Sequence, residues 1–129
     1  MFSDLTKRIS ESLTDVQWNI LQSRVVYGDT FNTIGANLGL ANAIVRQRQS
    51  KTLDEIIKLF PEEIKCFSTK LEKLLMDTGG TLAVKKCLVA FSEISEAEFY
   101  ILFMASQKNR EGIFHRSKEL ISVKSIFIR

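Results

Sequence analysis

TFNTIGANLGLANAIVRQRQSKTL, residues 30–53, reads as two short helices joined by a tight glycine turn. Thr30 is a good N-cap, because its hydroxyl can accept from a free backbone N–H in the turn that follows. Phe31, Ile34 and Leu38 recur at helical spacing, so one apolar face of the first helix is expected to be buried. Gly39 supplies the positive φ that a sharp helix end requires, and Leu40 is placed to tuck back under the turn. A second helix follows, with Val45 expected inward and Arg46, Gln47, Gln49 and Lys51 outward. This is a helix-turn-helix pattern, and its outward residues are of the types that hydrogen-bond bases and phosphates.

The match extends beyond the bare pattern. Thr30, Ile34, Gly35, Leu38, Gly39, Leu40, Val45, Arg46, Gln47, Lys51 and Leu53 resemble, in register, region four of bacterial RNA polymerase sigma factors, the module that reads the upstream promoter element. The preceding LTDVQWNILQSRVVYG, residues 13–28, is similar to that family's scaffold helix, and the resemblance covers less than half of the chain. It implies double-stranded DNA as partner, with the second helix in the major groove. Gln47, matching the family glutamine, would read a base edge, Arg46 and Lys51 would hold phosphates, and Arg24 would add a backbone contact. The chain departs from the family at Ala41, Asn42, Ala43 and Ile44, where Thr-Arg-Glu-Arg is usual, so Asn42 is the only polar substitute. Arg48 stands where the family has an apolar residue and is a further DNA-contact candidate. Nothing resembles the part of a sigma factor that grips polymerase and melts the promoter, so the resemblance implies a DNA-reading module and not a complete initiation factor.

At 129 residues, 45% apolar and 26% charged, the chain is expected to form one domain or two very small ones of ordinary globular composition. No apolar run is long enough to span a bilayer, and MFSDLTKRIS lacks the apolar core of a secretory signal, so a cytoplasmic protein without membrane contact is expected. Cys66 and Cys87 have no C-x-x-C spacing and read as small core residues. The net charge of +3 is uneven: residues 1–64 carry 7 basic against 8 acidic side chains, and residues 65–129 carry 11 against 7. If DNA is the partner, the second half adds much of the phosphate attraction.

Outside the central stretch the periodicity is mostly helical. Phe2, Leu5 and Ile9 share a face of a leading helix, and Thr14 caps a second one from Asp15 to about Val26, whose face carries Val16, Ile20, Leu21 and Val25. After the helix-turn-helix the second helix continues through Leu53, Ile56, Ile57 and Phe60 until Pro61, which marks the boundary between units at residues 1–60 and 61–129. Glu62 and Glu63 open the next helix, Ile64, Phe67, Leu71, Leu74 and Leu75 make its face, and Gly79-Gly80 stops it. Thr81 is expected to cap a segment from Leu82 to Phe91. Ser95 and Glu98 form a capping box for a helix through Phe99, Leu102 and Phe103. GIFHR, an SKE turn and LISVKSIFIR read as a hairpin. Three helices and a hairpin make a winged-helix-like domain, so the expected fold is mainly α. The stretch from Lys108 to Arg129 has six basic residues, Lys108, Arg110, Arg116, Lys118, Lys124 and Arg129, against Glu111 and Glu119. Such a wing, with Arg116 and Lys118 as candidates, suits a DNA backbone; a charged edge strand that resists sheet-to-sheet pairing is the structural alternative.

Enzyme chemistry finds little support. His115 is the only histidine, which leaves no His pair for a metal and no second chance at a nucleophile triad. Gly79-Gly80 lacks the downstream Gly-Lys-Ser/Thr of a phosphate cradle. No catalytic residue, metal or cofactor is therefore expected. Two functions remain: a DNA-binding transcriptional regulator, or an interaction module that uses Ala43 and Ile44 to dock RNA polymerase, an anti-sigma partner or a second copy as a homodimer.

Overall fold

The computed structural model describes residues 2, 4–25, 27–109, 114–117 and 119–123. Among them the first half forms α1 (Leu5–Ser12), α2 (Asp15–Val25), α3 (Phe31–Leu38) and α4 (Asn42–Leu59). The second half forms α5 (Pro61–Asp77), β1 (Thr81–Ala83), α6 (Val84–Ala90), α7 (Glu96–Asn109), β2 (Phe114–Arg116) and β3 (Leu120–Val123). The protein is mainly α: a helix-turn-helix bundle is followed by three helices and a small antiparallel sheet in winged-helix order. The sheet runs β1-β3-β2, with Leu82 opposite Ile121 and His115 opposite Ser122.

Local signals explain most helix ends. The Thr33 N–H donates to Thr30 Oγ1 at 3.1 Å, as the cap predicts. At α2 the Gln17 N–H donates to Thr14 Oγ1 at 3.2 Å while the Thr14 N–H donates back to Gln17 Oε1 at 2.9 Å. Pro61 sits at the first turn of α5, where its missing N–H costs nothing. Thr81 does not cap a helix: it lies in β1, opposite Ser122, and the two hydroxyls are 3.0 Å apart. Here a ladder partner distant in sequence overrode a local capping preference, and the helix starts only at Val84.

The turn of the helix-turn-helix depends on two glycines for different reasons. Gly39 has φ +69°, which an L side chain rarely adopts. Gly35 is needed for space. The Leu40 N–H donates to the Gly35 carbonyl at 2.8 Å, and the Leu40 carbonyl lies so close that a Cβ on Gly35 would sit 2.3 Å from its oxygen. Ile20, Ile34 and Val45 close over this turn as a small core of their own.

A larger core runs from Leu5 to Val123 and crosses Pro61, taking Leu53, Ile56 and Phe60 from one side and Phe67, Phe91 and Phe99 from the other. Those last three rings pack at centroid separations of 4.8, 5.2 and 5.5 Å, within the range in which aromatic pairs add to plain burial. Helices α1 and α7 are joined by one carboxylate. Glu98 completes the capping box, accepting from the Ser95 N–H at 2.7 Å while its own N–H donates to Ser95 Oγ at 3.1 Å. Its other oxygen accepts from the Thr6 N–H at 2.7 Å, so the same side chain serves the first turns of α7 and α1. Arg8 adds a 2.8 Å ion pair to the buried Glu63 of α5.

Two outcomes test this account. Gly35→Ala should lower stability by about 1–3 kcal/mol, the usual cost of overpacking, measured by urea unfolding; an unchanged midpoint would mean the turn yields without strain. Burial raises the pKa of Glu98, but hydrogen bonds from Ser95 and Thr6 outweigh it and leave the carboxyl below its ordinary 4.5. A folded-state pKa below the unfolded one contributes stability that is present above about pH 4.5 and lost as pH falls through the folded value. Wild-type stability should therefore decline over that acid window, and Glu98→Gln should show a shallower decline.

Candidate nucleic-acid interface

Helix phase divides α4 into two faces. Val45, Gln49, Thr52, Leu53 and Ile56 are buried, whereas Ala43, Ile44, Gln47, Arg48 and Lys51 are exposed on the opposite side. Ile44 is 39% exposed beside a fully buried Val45, which fixes the rotation of the helix. Among the described residues the side chains of Gln47, Arg48 and Lys51 make no hydrogen bond or ion pair. Helix α7 does pack on α4, but along another flank. Lys108 Nζ of α7 donates to the Ser50 carbonyl at 2.7 Å and to the Ser50 hydroxyl, and pairs with Asp54 Oδ1 at 2.9 Å. Among the described residues the ridge of Ala43, Ile44, Gln47, Arg48 and Lys51 is left exposed.

The flank toward α3 is built differently. Asn42 Nδ2 donates to Asn32 Oδ1 at 2.6 Å, and Arg46 Nε donates to Asn42 Oδ1 at 2.6 Å. The Arg46 guanidinium lies 4.7 Å from the Phe31 ring centroid and that of Arg24 lies 4.4 Å from the same centroid. Arg24 Nη1 also donates to the Asp29 carbonyl at 3.1 Å. Two cations are thus held around one aromatic ring at the mouth of the helix-turn-helix. Such contacts are worth about 0.5–1 kcal/mol each at exposed sites, enough to orient the guanidinium groups without removing their charge. The first turn of α4 carries no acidic residue, so its positive dipole end is not offset there. On the other flank Arg48 and Lys51 join Thr14, Val16, Gln17 and Glu55 around a shallow groove between α4 and the start of α2.

Of the expected site residues, Asn42, Arg46, Gln47, Arg48, Lys51 and Arg24 are gathered on or beside the first three turns of α4. Gln49 is the exception. Expected to face outward, it is only 4% exposed, because it falls four residues after Val45 and four before Leu53, on the buried side. Its Oε1 has no hydrogen-bond partner among the described residues. Lys108 is likewise no part of a wing; it ends α7 and holds α4. Arg116 is exposed on β2, with its guanidinium 4.6 Å from the Tyr100 ring centroid, so its contacts are with α7 and not with α4. Lys118, Arg110, Lys124 and Arg129 lie outside the described residues. Phe31 and Asn32 were missed by residue type, although their position at the start of α3 was legible from the Thr30 cap.

Other chemistry is sparse among the described residues. No group of three or more His, Cys, Asp or Glu is placed to hold a metal ion, and no helix is long and apolar enough to cross a membrane. Burial pushes the Cys87 thiol up to about 11, which keeps it protonated and a poor nucleophile at neutral pH. Comparison of the chain with protein-family models, with curated proteins and with solved structures returned no match. The functional reading rests on the geometry of α4.

A buried acceptor without a partner is destabilising, so Gln49→Met, which keeps the length of the side chain and removes the amide, should raise stability by about 1 kcal/mol in thermal or urea unfolding. A fall of similar size would show that the amide has a partner, such as a bound water.

Proposed function

We propose that this chain is a DNA-binding regulator of transcription that lays the open ridge of α4 in the major groove of a duplex. The observation that carries the proposal is the uncommitted polar and cationic row Gln47, Arg48 and Lys51 on a helix packed along the opposite stripe of Val45, Gln49, Leu53 and Ile56. An α-helix fits the major groove in width, and Gln47 has the amide needed to meet a base edge. Arg48 and Lys51 are placed for phosphates on one flank, and Arg24 and Arg46, oriented by Phe31, on the other. Arg116 of the hairpin is a further phosphate contact in this reading. The likeness of residues 30–53 to sigma region four supports the same use of the helix. In the competing reading Ala43 and Ile44 dock RNA polymerase, an anti-sigma partner or a second copy, and such a chain ignores DNA.

Fluorescence anisotropy with a random-sequence duplex over a range of salt tests this directly. The wild type should bind at low salt and weaken steeply as salt rises. Lys51→Ala should weaken binding to every duplex and reduce the log–log salt slope by roughly one. Gln47→Ala should leave that slope alone and alter the ranking of sequences, by about 1–3 kcal/mol at the base it reads. Wild-type affinity in both variants would remove the proposal.

A further inference from the structure

The leading tip of α4 has a composition that restricts which bases it can read. Ala43 and Ile44 are exposed in its first turn, and Gln47 follows at four and three residues' spacing, so the three side chains form one continuous patch. Ile44 keeps 39% of its surface in contact with solvent although the neighbouring Val45 has none, a state that leaves apolar surface in water until something covers it. Two polar groups on the α3 side of the patch, Asn42 and Arg46, are engaged elsewhere. Asn42 donates to Asn32 and accepts from Arg46, whose guanidinium is drawn back over Phe31. The Arg46 guanidinium fork, which would suit the two acceptors of guanine, is thus turned toward α3. Arg48, one turn after Ile44, lies with Lys51 on the flank toward α2, and Gln47 is the free uncharged hydrogen-bonding side chain between the two flanks.

We infer that the tip of α4 selects A·T over G·C base pairs, with Ile44 and Ala43 against thymine 5-methyl groups and Gln47 on adenine. This inference rests on the DNA-binding reading and names the ligand chemistry of the same ridge. Major-groove edges differ in the features concerned. Thymine presents the only apolar group there, and adenine presents a donor and an acceptor that a carboxamide can meet together. Guanine presents two acceptors, of which a carboxamide satisfies one through its single NH2 group. Cytosine presents an N–H donor that an aliphatic side chain would desolvate without replacing its hydrogen bond, an unfavourable exchange. Arg48 and Lys51, on the flank toward α2, add phosphate attraction that does not depend on sequence.

The experiment measures affinity of the full chain, at one low salt concentration, for short labelled duplexes of alternating dA-dT, dA-dU and dG-dC. Replacing thymine by uracil removes only the methyl group, which separates methyl recognition from effects of groove shape. The dA-dT duplex should bind several-fold more tightly than dG-dC. The dA-dU duplex should bind more weakly than dA-dT by on the order of threefold for each methyl buried. Ile44→Ala, a surface change monitored by thermal melting, should lose most of the dT-to-dU difference, and Arg46→Ala should keep it. Equal affinity for dA-dT and dA-dU, preference for dG-dC, or loss of discrimination in Arg46→Ala and not in Ile44→Ala would overturn the inference while leaving DNA binding intact. Failure to bind any duplex at low salt would overturn the DNA-binding reading itself.

Discussion

The rest of the structure depends on α4 being buried at both ends in different cores. Over its 18 residues the helix extends about 27 Å, long enough for Val45 to close the small core of the helix-turn-helix while Leu53 and Ile56 enter the large one. A rigid rod anchored at both ends transmits the position of one core to the other. The ridge that α4 exposes is therefore held in one orientation, as the proposed reading of a groove would require.

The second half of the chain reinforces this arrangement. Its helix α7 has Phe99, Ile101, Leu102, Phe103, Ala105 and Ser106 buried and packs against α2, α4 and α5. Helix α7 is thus buried along most of its length, whereas α4 keeps a broad exposed face. Lys108 at the end of α7 fixes the middle of α4 by a backbone carbonyl and a carboxylate, and Glu98 at its start ties in α1. Exposed ion pairs such as Lys108–Asp54 contribute little energy, so the role of this one is chiefly to set the position of a helix already held by apolar burial.

Features whose cause is local were legible in the sequence. The Thr30 cap, the Gly39 turn and the Ser95–Glu98 box each need only residues within three or four positions, and all three form as expected. The open ridge was legible for the same reason, since Val45 sets the phase of α4. Gln49 lies inside although its residue type suits the surface, because its spacing from Val45 and Leu53 puts it on the buried stripe. Thr81 joins a strand for a different reason. Its strand partner Ser122 is 41 residues away, and no local rule could have supplied it.

By itself, then, the sequence determined the succession of helices, the turn between α3 and α4, and the composition of the face that α4 leaves open, because backbone capping and helical periodicity act over a few residues. Only the tertiary structure decided that Arg24 and Arg46 gather on Phe31, that Lys108 grips α4, and that one Glu98 carboxylate caps two helices 92 residues apart. Each of these joins groups that are distant along the chain and meet only after burial of the common core has brought their helices together, and periodicity carries no record of such encounters.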